Sequence, residues 1–261
     1  MNSVMLALLV IGVPAVYAAL GVVLSRKILR GRIRDGHNDV LVPIFLNAGV
    51  LFAVVLGFMV IAVWESYDAA NTTVEMEAAS LVSLYRTTYG LPPETGDQLR
   101  DMAQHYAKAV IEDEWPTQAA TGEGSLTARR AMGNMFRAFG DGTISSETKT
   151  TYPLICEAFM TSLTDVTAAR NKRIIKANES LPWAMWLAAI GGAFIVISMS
   201  CLLYMESRWP HVWMAAAMAA LIGLLLFTCQ IMSHPFSGPL AISPESFEKT
   251  LLVFQGVDKG D

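Results

Sequence analysis

Asn47, Leu51, Val54, Phe58, Ile61 and Glu65 recur at intervals of three and four residues. On a helix that spacing lines them up on one face. The face has an amide at one end, a carboxylate at the other and four large apolar side chains between. If copies of the chain surround an axis, Glu65 forms a ring of charge, one way of choosing ions, and Phe58 with Val54 and Ile61 forms an apolar constriction that gates by dewetting. Each residue also has an ordinary reading. Asn47 can hydrogen-bond across helices in lipid, Glu65 beside Trp64 can reach interfacial water, and the apolar four can face lipid or pack. His37-Asn38-Asp39, just ahead of this stretch, reads either as a helix cap, because Asn and Asp accept bonds from free N–H groups, or as the mouth of a pore. Gly49, Ala53 and Gly57 form a second stripe at four-residue spacing, small enough for another helix to pack closely.

Other chemistry has little support. The sequence contains no GxSxG, HExxH, Walker A or GxGxxG pattern. His37, His105, His211 and His234 are scattered, and Cys156, Cys201 and Cys229 form no CxxC pair. No catalytic residue, metal site or cofactor is expected, and the chain does not read as an enzyme. A net charge of -4 argues against nucleic acid as a partner. The run Glu112-Asp-Glu-Trp115-Pro reads as an acidic helix end. Acids are unfavourable there, so solvent, a cation or the basic cluster Arg170, Lys172, Arg173 and Lys176 must offset them.

The elements that position these residues follow from where the apolar residues lie. The 261-residue chain is 53% hydrophobic and only 16% charged, below the quarter charged that is usual for soluble domains. Its apolar residues fall into four runs, 1–24, 44–64, 182–204 and 212–232, each long enough to span a bilayer. The first run has no positive charge before it, and Arg26, Lys27, Arg30, Arg32 and Arg34 follow it, so it reads as an uncleaved anchor in which Pro14 sets a kink. No Pro or Gly falls between Val60 and Tyr89, so the second span should continue into water as one long helix. There Tyr67, Ala70, Val74, Ala78, Leu81, Tyr85 and Thr88 make a buried stripe, ended by Gly90-Leu-Pro-Pro. A second helix with Leu99, Met102, Tyr106 and Val110 inward should stop at Trp115-Pro116, before a loop over 117–124. Ser125 should cap a third helix to about Phe139. After a Gly140-Asp-Gly turn, a fourth should start near Ser145 or Pro153. The expected fold is all-α: a four-span integral membrane protein with a helical bundle between the second and third spans. Its parts are a first hairpin (1–64), the bundle (65–181), a second hairpin (182–232) and a tail (233–261). In the tail Phe247, Leu251 and Phe254 form one face of a short amphipathic helix, laid on the bilayer or on the bundle.

The two short loops carry most of the basic residues that flank the spans, Arg208 included, while the tails carry few. Positive-inside counting places those loops in the cytoplasm and both termini and the bundle outside, periplasmic in a Gram-negative inner membrane. The cluster Arg170 to Lys176 lies on the opposite side, but long domains follow the rule weakly.

The runs HNDVLVPIF, VWESYDAA, EAASLVSLYR, GLP, EDEWP and HPFSGPLAISPESF, in that order, resemble the bestrophin-like (DUF4239) family over roughly residues 37–252. The resemblance implies a likeness to bestrophins, pentameric anion channels with four membrane helices per subunit and a pore lined by the second. By that likeness the chain is an oligomeric ion channel, with the bilayer, inorganic ions and further copies of itself as partners. It also implies cytoplasmic termini, where charge counting gives the reverse, and a Glu65 ring suits cations better than anions. The other reading is a membrane-anchored sensor or interaction protein whose bundle binds a ligand or a partner subunit.

Overall fold

A computed structural model describes residues 3–28, 36–140 and 144–259. Arg30, Arg32 and Arg34, and the Asp141-Gly142 part of the expected turn, lie outside the described residues. Every regular element among the described residues is helical, and four helices are long and apolar enough to cross a membrane. The chain divides into two compact units, residues 1–66 with 180–233 and residues 67–179 with 234–261.

The first unit contains α1 (Ser3–Ile28), the opening part of α2 (His37–Thr87), α8 (Trp183–Leu202) and α9 (Arg208–Met232). α1 passes through Pro14 without interruption. Phe52, Leu56, Met59 and Val63 of α2 enter a core shared with Ala18, Val22, Ala193 and Ala219. In lipid, apolar surface gains little by leaving one hydrocarbon for another, so close approach through small residues holds the helices together. Three glycines supply it. Gly21 lies against Cys201, Gly192 receives the Phe52 ring, and a Cβ at Gly223 would stand 2.5 Å from the Val10 carbonyl oxygen and 2.9 Å from Ile11 Cα.

The second unit contains the rest of α2, a 3-10 turn, α3 (Pro93–Ala109), a π-helical turn (Val110–Glu114), α4 (Trp115–Thr121), α5 (Leu126–Gly140), α6 (Ser146–Thr151), α7 (Pro153–Asn178) and α10 (Glu245–Lys259). The expected stripe of α2 is inward, with Ala70, Val74, Ala78, Leu81, Tyr85 and Thr88 all buried. Ser125 caps α5 by accepting the Ala128 N–H at 3.0 Å, and Ser145 caps α6 by accepting that of Thr148 at 3.0 Å.

Two expectations fail here. The helix does not stop at Trp115-Pro116, and 117–124 is not all loop. The chain passes through the π turn and continues to Thr121, where Gly122 closes it in the left-handed conformation (φ 75°). Pro116 has no N–H to donate and its ring crowds the preceding turn. The wider π turn just before it accommodates both, and Pro116 falls in the first turn of the next helix. Of the two placements expected for the tail helix, the bundle is the one found. Its Phe247 and Phe254 are buried in the unit's core, and the Phe254 ring stacks on Tyr85 with centroids 3.8 Å apart.

The glycine contacts give a test of stability. Gly223→Ala forces a methyl into backbone atoms and should cost about 1–3 kcal/mol, read as a lower thermal midpoint of the full chain in detergent. Gly191→Ala, at a helical glycine with nothing within 4 Å, should leave the midpoint unchanged or raise it.

Candidate functional site

Two opposed faces of α2 are distinguished by their surroundings in the first unit. Phe52, Leu56, Met59 and Val63 are buried. Asn47, Leu51, Val54, Phe58, Ile61 and Glu65 are all exposed on the other side, with Leu51 at 71% and Phe58 at 67%. The separation follows from the 3.6-residue period: positions 52, 56, 59 and 63 lie roughly half a turn from 47, 51, 54, 58, 61 and 65. Among the described residues, neither the Asn47 amide nor the Glu65 carboxylate has a hydrogen bond or ion pair. The two are five turns apart, about 27 Å at 1.5 Å per residue, close to the thickness of the hydrocarbon.

The small-residue stripe lies to the side of that face. A Cβ at Gly49 or Gly57 would meet nothing within 4 Å, and Ala53 is exposed. Within the chain, the close packing expected of these three is instead made by Gly21, Gly192 and Gly223.

The structure brings His37 and Asn38 onto the backbone of α8 and the loop after it. Asn38 Nδ2 donates to Tyr204 O at 2.8 Å, and Tyr204 N donates to Asn38 Oδ1 at 3.0 Å. His37 Nε2 lies 3.2 Å from Leu202 O, which assigns the proton to that nitrogen. Asp39 is exposed and its backbone N–H bonds Gly36 O at 3.1 Å. Its charge suits the positive end of α2.

The second unit holds a group of buried charges in which Glu77 joins the acidic run and the basic cluster that the sequence sets against each other. Arg173 Nε donates to Glu77 Oε2 at 2.7 Å, and its Nη2 donates to Glu114 Oε1 at 2.6 Å and Glu77 Oε1 at 3.2 Å. Its Nη1 reaches Gln118, and the Trp115 ring lies 5.0 Å from its guanidinium carbon. Arg170 Nε bonds Glu114 Oε1 at 3.0 Å, its Nη2 bonds Oε2, and the Ser125 N–H also donates to Oε2 at 3.0 Å. The Tyr106 hydroxyl donates to Glu77 Oε1 at 2.6 Å. The π turn aims Glu114 inward and leaves Glu112 and Asp113 exposed. Of the offsets expected for this acidic run, the basic cluster serves Glu114, through Arg170 and Arg173, and solvent serves Glu112 and Asp113. The signal was present in the phase: Glu77 falls between Val74 and Leu81, and Arg170 and Arg173 continue the series Phe159, Leu163, Val166. A charged residue in phase with a core stripe is a buried charge, and it requires a partner.

Burial works to raise the pKa of Glu114, and the guanidinium groups of Arg170 and Arg173 more than reverse it, leaving the carboxyl below its ordinary 4.5. Burial, then the Glu77 carboxylate, pushes the Tyr106 hydroxyl well above its ordinary value. A depressed carboxyl pKa contributes stability that is present above the unfolded value and lost as pH falls through the folded one. The unfolding midpoint of the full chain in detergent should therefore fall as pH is lowered below 4.5. Glu114→Gln should be less stable at neutral pH and show a shallower acid limb, measured by circular dichroism at stepped pH.

A family model described as "Bestrophin-like domain" matches residues 12–247. No curated protein matches the chain in sequence. Among solved structures, a point mutant of a bacterial bestrophin homologue from Klebsiella pneumoniae superposes with a TM-score of 0.70 at 13% identity, over 94% of this chain and 99% of that one. A second mutant of that homologue gives 0.59 at 14% identity, over 94% and 99%. A variant described only as a membrane protein gives 0.62 at 14% identity, over 94% and 98%. At such identities the likeness is one of fold.

Proposed function

We propose that this chain, which belongs to the family of bestrophin-like domains, assembles as a homo-oligomer around an axis and conducts inorganic ions along the Asn47–Glu65 face of α2. One observation carries the reading: that face is exposed, and it has an amide and a carboxylate without partners at its two ends. Hydrocarbon satisfies neither group, and polar side chains in membrane helices face water, headgroups or protein. Four apolar side chains between two polar ends match a pore with wet mouths and a constriction. Rings of Leu51, Val54, Phe58 and Ile61 hold a column of water only weakly, so a small widening wets it and a small narrowing empties it. Glu65 places one carboxylate per copy at one mouth. Its sign favours cations, so the pore is cation-preferring, unlike the anion selectivity that the likeness to bestrophins carries.

Reconstituted protein in planar bilayers tests this. The wild type should conduct with a cation preference. Glu65→Gln should lower the cation-to-anion permeability ratio by about fivefold or more, the factor that about 1 kcal/mol of Coulomb interaction represents. Phe58→Ala should raise the open probability. An intact oligomer silent in both directions of a salt gradient would overturn the reading.

The orientation in the plasma (inner) membrane belongs to the same proposal. Arg170 and Arg173 are buried in ion pairs, and Lys176 pairs with Glu179 at 2.5 Å. The cluster that opposed the charge count is thus largely neutralised. That supports short loops in the cytoplasm and the helical unit with both termini outside. Thr127→Cys and Glu206→Cys, both at exposed positions, decide it with a membrane-impermeant maleimide, because the native thiols are buried. Thr127→Cys should label on intact cells and Glu206→Cys only after permeabilisation. The reverse pattern would invert the topology.

A further inference from the structure

We propose that Asn38, assisted by His37, is a positioning residue that sets the start of α2 against the α8–α9 loop, and that the clamp governs how often the pore opens. The proposal rests on the reading of α2 as the pore helix.

The argument begins at the end of α8. The last carbonyls of a helix have no partner on the helix itself. The usual remedy is a glycine that turns the chain back. α8 has none there, and it ends in an extended Leu203 (φ −59°, ψ 142°). Ser200 O accepts the Leu203 N–H at 3.4 Å, and side chains from three other helices reach the last carbonyls as well. His211 Nε2 of α9 lies 3.0 Å from Ser200 O, Ser25 Oγ of α1 donates to Cys201 O at 2.7 Å, and His37 of α2 takes Leu202 O. Asn38 then holds both polar groups of the Tyr204 backbone, as a neighbouring strand would. Asn and Gln are the side chains that offer both a donor and an acceptor in one planar amide, so Asn38→Ala removes both bonds. Asn38→Asp keeps the shape but sets a carboxylate oxygen against a carbonyl oxygen.

Asn38 lies inside the first turn of α2, after Gly36 at the cap position, and its amide is used by the loop. It also gives α2 a fixed origin. From Asn38 to Asn47 the helix is unbroken through Pro43, so a displacement of the first turn is carried about 13 Å along a rigid rod to the start of the Asn47–Glu65 face. His37 and Asn38 are committed to the backbone at the end of α8 and in the loop after it, so in this proposal they set position.

Two readouts on reconstituted full-length protein test the clamp separately from the pore. The first is amide hydrogen exchange at Tyr204, which is protected by Asn38 Oδ1 in the wild type. Asn38→Ala should speed it by about tenfold or more, and Asn38→Asp, which keeps an acceptor for the Tyr204 N–H but repels the Tyr204 carbonyl, should speed it less. The second is single-channel recording, where both variants should shift open probability while unitary conductance and reversal potential stay as in the wild type. Unchanged exchange at Tyr204 would overturn the clamp. Faster exchange with unchanged open probability would overturn its role in gating, and so would an altered reversal potential, which would mark a disrupted conduction path. A silent wild type with Tyr204 protected would refute the pore reading itself, and the gating role with it.

Discussion

Arg173 is the largest fully buried side chain among the described residues, and a guanidinium shut away from water must find every acceptor inside the protein. That requirement organises the second unit. Glu77 must come from α2, Glu114 from the π turn and Gln118 from α4, and an aromatic ring from Trp115 covers the guanidinium. Desolvating such charges costs several kcal/mol per ion, and removing one partner typically costs about 3–5 kcal/mol because the other is left uncompensated. The node therefore supplies registry more than net stability. A slip of α7 by one residue against α2 would strand two charges, and a regular α-helical turn in place of the π turn would rotate Glu114 away.

The first unit answers a different solvent. Burial of apolar side chains gives little preference there, so the helices are placed by steric fit at single glycines and by hydrogen bonds that cap carbonyls. α2 is held to this unit by one face only, with the Phe52 ring against Gly192. The opposite face makes no hydrogen bond or ion pair among the described residues, and it carries two polar groups that hydrocarbon cannot satisfy. The proposed ring of copies would remove that asymmetry.

Much of this was legible in the sequence. The four apolar runs, the stripe from Tyr67 to Thr88, the Ser125 cap and the end at Gly90-Leu-Pro-Pro are written in local periodicity and cap chemistry, and local signals survive folding. The two faces of α2 were also visible, because both repeat every three or four residues. The pairing of the acidic run with the basic cluster is among the offsets the sequence offers, but the burial of that node and the part of Glu77 are carried only by phase. The helix beyond Trp115 was missed because a proline was read as a stop, when a π turn lets the chain continue. The clamp on the α8–α9 loop could not be read at all. Its partners are main-chain atoms more than 160 residues away, and a carbonyl oxygen has no residue type. Likewise, a regular small-residue stripe stands out by eye, while the lone glycines that make the contacts, Gly21, Gly192 and Gly223, meet partners that no spacing announces.

The distance along the chain between Asn38 and Tyr204, 166 residues, has a consequence for how the protein is made. α1 and α2 leave the ribosome long before α8 and α9 exist. During that interval Ser25, His37 and Asn38 wait at the membrane edge with hydrogen-bonding groups that only water or lipid headgroups can serve. Glu77 waits in the same way for Arg173, 96 residues later. Neither half of the chain reaches its final polar bookkeeping by itself. Biogenesis must hold an early hairpin in a provisional state until the later one arrives, so the membrane unit closes only after α8 and α9 have been made.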